Sequence, residues 1–138
     1  MPIELISLDH TPGVLYLCTG VVTGDDLLAA GASLRASEKR LKKLRYVIVD
    51  MTRMESMDVS FADLKKIENN DRLIAQINPE GIVAIIVDKD LPFNIVSAWD
   101  IRTTDISWEK RIFREKNEAY DWVRARTREK FGEETHPL

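Results

Sequence analysis

Two apolar runs constrain this 138-residue chain more than any other feature: Tyr46–Val49, closed by Asp50, and Ile82–Val87. A strand with one wet face alternates apolar and polar residues. A β-branched run with no polar interruption needs cover on both faces, and such cover marks parallel strands joined by helical crossovers. The stretch between the two runs agrees. Ser60-Phe61-Ala62-Asp63 is a capping box, with Ser60 as N-cap and Asp63 reaching back. It opens a helix carrying Leu64, Ile67, Ile74 and Ile77. Asn78-Pro79-Glu80-Gly81 closes that helix with turn residues.

The flanking segments extend the pattern. Ile3–Leu8 and Val14–Thr19 are short apolar runs joined by Asp9-His10-Thr11-Pro12-Gly13, which reads as an antiparallel hairpin. Thr23-Gly24-Asp25-Asp26 is a second capping box and starts a helix through about Leu34. Asp90-Leu91-Pro92 puts proline in the first turn of a helix running through Trp99. A weaker strand covers about Lys110–Arg114. A last helix starts near Asn117, buries Ala119, Trp122 and Val123, and extends toward Phe131. The order β-β-α-β-α-β-α-β-α predicts an α/β fold: a mixed, mostly parallel sheet of about five strands with about four helices. One domain spans 1–132, and 133–138 reads as a flexible tail.

Composition narrows the function classes. The net charge of −3 argues against a chain that binds nucleic acid over its whole surface. The single cysteine, Cys18, excludes an intramolecular disulfide, and His10 and His136 show no ligand spacing, so neither metal nor cofactor is expected. The first ten residues lack a basic segment and a sustained apolar run. The longest uncharged stretch, His10 to Gly24, contains Pro12, Gly13 and Gly20 and is too broken to span a bilayer. A cytoplasmic setting without a transmembrane segment is the expectation.

The element order and one segment, Val49-Asp50-Met51-Thr52-Arg53-Met54-Glu55-Ser56-Met57-Asp58-Val59-Ser60, resemble the STAS domain of sulfate-transporter tails and anti-sigma-factor antagonists. The family pattern is a strand ending in Asp, a hydrophobic residue and Ser/Thr, then, after a spacer, hydrophobic-Asp-Ser at a helix start. Asp50, Thr52, Met57 and Asp58 fall in register with it. Where regulatory STAS proteins carry the phosphorylated serine, this chain has Val59, with a hydroxyl one place later at Ser60. The resemblance implies a STAS-like module without enzymatic activity that works through a protein partner or self-association. It points toward stand-alone bacterial STAS-like proteins of unassigned role.

Each candidate site has a plain structural reading beside a functional one. Ser60 is an N-cap or a phosphoacceptor at a helix N-terminus. Asp50, Asp58, Asp88 and Asp90 follow strand C-termini, where open α/β sheets bind ligands, but aspartate is also an ordinary turn residue. Asp71 falls on the apolar stripe of its helix, so it is either paired, with Arg102 or Arg114, or placed at a ligand pocket. Arg35–Arg45 carries a net charge of +5, and Lys39, Arg40, Lys42 and Lys43 form either the solvated end of a helix or an anion patch. Leu91–Trp99 is uncharged over nine residues. Phe93, Val96 and Trp99 are expected to face the sheet, leaving Leu91, Ile95 and Ala98 for an interface or an apolar pocket. The expected function is a regulatory or protein-interaction module. The alternative is a carrier or sensor of a small apolar, lipid-like or nucleotide ligand.

Overall fold

The structure, a computed structural model, describes residues 2–8 and 12–132. The hairpin turn at 9–11, both histidines and the tail at 133–138 lie outside the described residues. Ten elements follow one another: β1 (Ile3–Leu8), β2 (Gly13–Thr23), α1 (Gly24–Arg35), α2 (Glu38–Lys43), β3 (Tyr46–Asp58), α3 (Phe61–Ile77), β4 (Ile82–Ile86), α4 (Asp90–Arg102), β5 (Glu109–Phe113) and α5 (Lys116–Phe131). The five strands form one sheet in the order β1-β2-β3-β4-β5. β1 is antiparallel to β2, and every other neighbouring pair is parallel. The mixed α/β sheet is as expected, with one more helix.

The two apolar runs are buried on both faces, as their composition requires. Tyr46 and Ile48 of β3 and Ile82, Ala84 and Ile86 of β4 pack with Ala119 and Val123 of α5. The alternate residues Val47, Val49, Val83 and Ile85 face the opposite layer, built from α1, α2, α3 and α4. One helix therefore covers one face and four cover the other. Gly13 is required beneath Tyr46, because a Cβ there would lie 2.1 Å from the fully buried ring.

Both predicted capping boxes form. Thr23 Oγ1 accepts from Asp26 N at 3.2 Å while Asp26 Oδ2 accepts from Thr23 N at 2.9 Å. Ser60 and Asp63 exchange the same pair of bonds at 3.0 Å each. Thr23→Ala removes one side of the first box and is expected to cost about 1 kcal/mol in urea unfolding. A cost below about 0.3 kcal/mol would mean that the box adds nothing to the packed helix.

Two segments differ from expectation. β3 does not end at Asp50 but runs on to Asp58, paired with a β2 that itself extends to Thr23. The register shifts between Leu17 and Thr19, and again between Gly20 and Val21, and each shift places one extra residue on β3. Apolar side chains therefore return at Met51, Met54 and Met57, every third residue, with Met51 and Met54 buried. Gly20 absorbs the local twist with φ +63, a left-handed backbone that favours glycine. The second difference lies in the basic run. It is not the end of α1 but holds a separate helix, α2, capped by Ser37 and anchored by buried Leu41, with buried Leu44 just beyond it.

Candidate functional site

A cavity of about 180 Å³ lies between the sheet and the four-helix layer. Tyr16, Cys18 and Val49 form part of its floor, Leu27 and Ile67 part of its walls, and Trp99 of α4 closes one side. Its lining is almost wholly apolar. The exceptions with charge are Asp71 of α3 and Lys110 of β5.

Asp71 reaches this position because its helix turns it onto the stripe shared with Ile67 and Ile74. Its partner is neither Arg102 nor Arg114, as sequence suggested. Arg102 is drawn to buried Glu68, one turn away on α3, by a bidentate pair, and Arg114 binds Asp90 at 3.0 Å. Asp71 Oδ2 instead accepts from the indole Nε1 of Trp99 at 2.8 Å. Burial among apolar side chains raises its carboxyl pKa to about 6, against the lowering effects of the indole bond and of Lys110. Lys110 is committed elsewhere. Its ammonium donates to the backbone carbonyl and, at 2.6 Å, to the hydroxyl of Thr103, and lies 3.7 Å from Asp100. Desolvation lowers its pKa. Cys18, also on the floor, is pushed up to about 12 by burial and by Asp50 and Asp26, so it stays a thiol.

Helix α4 packs Phe93, Val96 and Trp99 toward the sheet, as its pattern predicts. Its buried stripe runs through Pro92 and Val96 to Thr103 at its C-cap. Of the three residues left for an interface or an apolar pocket, Ile95 lines the cavity beside Val96 and Trp99, while Leu91 and Ala98 are exposed. Phe93 sits at the side of this stripe, half-buried beneath the Arg114 guanidinium at 4.1 Å from the ring centroid. Leu91 and Ile101 are exposed, at 68% and 72%.

The STAS-like motif residues do not converge. Asp50 is 2% exposed and turned toward α5. Its Oδ1 accepts from Thr52 N at 2.9 Å and Thr52 Oγ1 at 2.7 Å, and its Oδ2 lies 3.7 Å from Lys116 Nζ. Asp58 ends β3 eight residues later, on the order of 25 Å away in extended chain. Asp88 pairs with Lys89 and Asp90 with Arg114, so these two carboxylates are each paired with a neighbouring cation. Lys39, Arg40, Lys42 and Lys43 are all exposed on α2, and Lys42 pairs with Glu38 of the same helix at 3.3 Å. Among the described residues no cluster of three or more His, Cys, Asp or Glu is arranged to hold a metal, and no helix is long and apolar enough to cross a membrane.

Sequence reasoning missed Trp99 as the partner of Asp71, and it missed Lys110 and the floor residue Tyr16 altogether. Cys18 reads from sequence as a small core residue, and it is one. The available signals were Asp71, a charge out of place on an apolar stripe, and the uncharged Leu91–Trp99 stretch, whose Ile95, Val96 and Trp99 line the cavity.

No family model matches the chain, and no curated protein does. Solved structures do. A DUF3478-family protein with a SpoIIAA-like fold from Shewanella loihica PV-4 is 18% identical, with 88% of this chain and 91% of that one covered and a TM-score of 0.54. The anti-sigma factor antagonist SpoIIAA in its unphosphorylated form is 12% identical over 88% and 97% of the two chains, with a TM-score of 0.56. The phosphorylated form of SpoIIAA, the Bacillus cell fate determinant, is 13% identical over 88% and 99%, with a TM-score of 0.52. The chain therefore has the STAS-like fold of the anti-sigma-factor antagonists.

Proposed function

We propose that this chain is a regulatory, protein-interaction module of STAS-like type whose state is set by a small apolar molecule in the cavity, rather than by phosphorylation. The cavity carries the reading. Ligand sites are apolar hollows with few polar groups, and one of those groups commonly has a displaced pKa; Asp71 is such a group. A nucleotide fits poorly, because phosphate needs free donors and Lys110 is already engaged. Helix α4 is suited to pass occupancy outward: Ile95, Val96 and Trp99 touch the cavity, while Leu91 and Ile101 face solvent. A ligand that holds α4 differently from the empty state changes what the outer face offers a partner.

Phosphorylation of Ser60 fits less well. Its hydroxyl already caps α3, and Asp63 accepts a hydrogen bond from its backbone. A phosphate at that position adds negative charge directly beside that carboxylate and breaks the box. Incubation with lysate kinases is expected to leave the intact mass unchanged; stoichiometric phosphate on Ser60 would restore the phosphoswitch. For the cavity, native mass spectrometry of protein purified from its own host is expected to show a retained small mass. That mass should be released by organic solvent. An empty chain that also takes up no hydrocarbon probe would overturn the reading.

A further inference from the structure

Resting on that reading, we infer that the cavity's ligand is a small, uncharged, ring-shaped molecule with one hydrogen-bond donor, and that Asp71 Oδ1 accepts from it. Size sets the first limit. An apolar cavity of about 150 Å³ takes benzene, so 180 Å³ admits one ring or a compact pair of rings. The walls favour aromatics. Trp99 and Trp108 present rings, and Met51 and Met57 present thioethers that pack well against ring edges.

The donor follows from the inventory of polar atoms. Asp71 Oδ2 takes the Trp99 indole, and no hydrogen bond among the described residues reaches Oδ1. Asp71 is half-buried, so water can serve Oδ1 while the cavity is empty, and an occupant that displaces that water must bring a donor of its own. Neighbouring cations do not supply one. Lys110 is held by Thr103 and Asp100, Arg72 by Asp105, and Arg102 by Glu68. The donor therefore arrives with the occupant, as a hydroxyl or ring N–H. An anionic occupant would meet Asp71 with no free cation to offset the repulsion.

Binding of naphthalene, 1-naphthol and 1-naphthoate to the full chain at pH 7.5, followed by calorimetry, tests this. The alcohol is expected to bind at least about 10-fold more tightly than the hydrocarbon, which corresponds to about 1.4 kcal/mol. The carboxylate is expected to bind more weakly than either. Asp71→Asn keeps an acceptor for Trp99 and so preserves the fold, but it turns an N–H toward the ligand; the alcohol preference should fall to within about twofold. Asp71→Leu should abolish it. Equal affinity for hydrocarbon and alcohol, a preference retained in Asp71→Asn, or tightest binding of the carboxylate would overturn the donor assignment. The cavity reading would survive each of those results. Failure of both naphthalene and 1-naphthol to bind would overturn the two together.

Discussion

Asn78→Ala is expected to lower stability by about 3 kcal/mol, read as a fall in the urea midpoint at unchanged slope. Asn78 is 7% exposed and joins three parts of the helical layer. Its Nδ2 donates to the Leu41 and Leu44 carbonyls at 2.8 and 2.7 Å, tying α2 and its exit to the end of α3. Its Oδ1 accepts from Glu80 N at 3.1 Å and shapes the turn into β4. Its backbone carbonyl accepts from the indole of Trp108. Alanine leaves the carbonyl of Leu44 and the amide of Glu80 without these partners. Each buried orphan costs about 1–3 kcal/mol, against a whole-domain stability of about 5–15 kcal/mol. Asn78→Asp is a sharper version, since a carboxylate faces two carbonyl oxygens with no proton to give; it should destabilise at least as much as alanine. A loss under 1 kcal/mol for both variants would show that α2 is held by Leu41 and Leu44 packing alone.

Asp71→Asn has the opposite sign at neutral pH. The Asp71 carboxyl titrates at about 6 in the fold against 3.8 for an unperturbed aspartate. Its protonated form is thus favoured by folding. That contribution is fully present below about pH 4 and is lost as pH rises through 6. Two units correspond to about 3 kcal/mol, from which the cost of pointing an amide into an apolar cavity is subtracted. The variant should therefore be more stable than the parent by about 1–2 kcal/mol at pH 7.5, and no more stable at pH 4. The groups that face Asp71 do not blur the window. Glu68 is held below its ordinary range by its hydrogen bond to Arg102, Arg72 is raised by its hydrogen bond to Asp105, and Lys110 is lowered by desolvation. Chemical unfolding across pH 4–8 reads the crossing; a difference that stays constant over that range would show that Asp71 is not desolvated. On the proposed reading, a carboxylate kept at such a cost is stability given up for binding.

Legibility in the sequence followed the range of the forces involved. The capping boxes at Thr23 and Ser60 are bonds between residues three apart, and both form as read. The apolar runs at 46–49 and 82–87 announce burial on two faces without reference to any particular neighbour. The extension of β3 to Asp58 was hidden because its two bulges stretch the apolar repeat from two residues to three, and bulges exist only relative to a paired strand. Helix α2 was hidden by its charge, since the lysines that made the run look solvated flank the one leucine that anchors it.

The candidate site divides in the same way. Asp71 was conspicuous as a misplaced charge, yet Arg102 and Arg114 were as reasonable for it as any partner. Each arginine found another acid in space, and a residue on α4 took the vacancy. For Leu91, Ile95 and Ala98 the sequence leaves both an interface and an apolar pocket open, because a helix that is apolar on more than one side has no unique inward face until it is docked. Only docking places Ile95 on the cavity and Leu91 in solvent.

Sequence alone determined the class of fold, the starts of α1, α3, α4 and α5, and the doubly buried runs of the central strands, because those depend on local hydrogen bonds and on which side chains water rejects. Tertiary structure decided the placement of Ile95 on the cavity, the route of β3 past Asp50, and the meeting of Asp71 with Trp99 and Lys110 around that cavity. Those depend on pairings between segments about 30–40 residues apart, where several partners satisfy the same chemistry and only the simultaneous packing of all elements selects one.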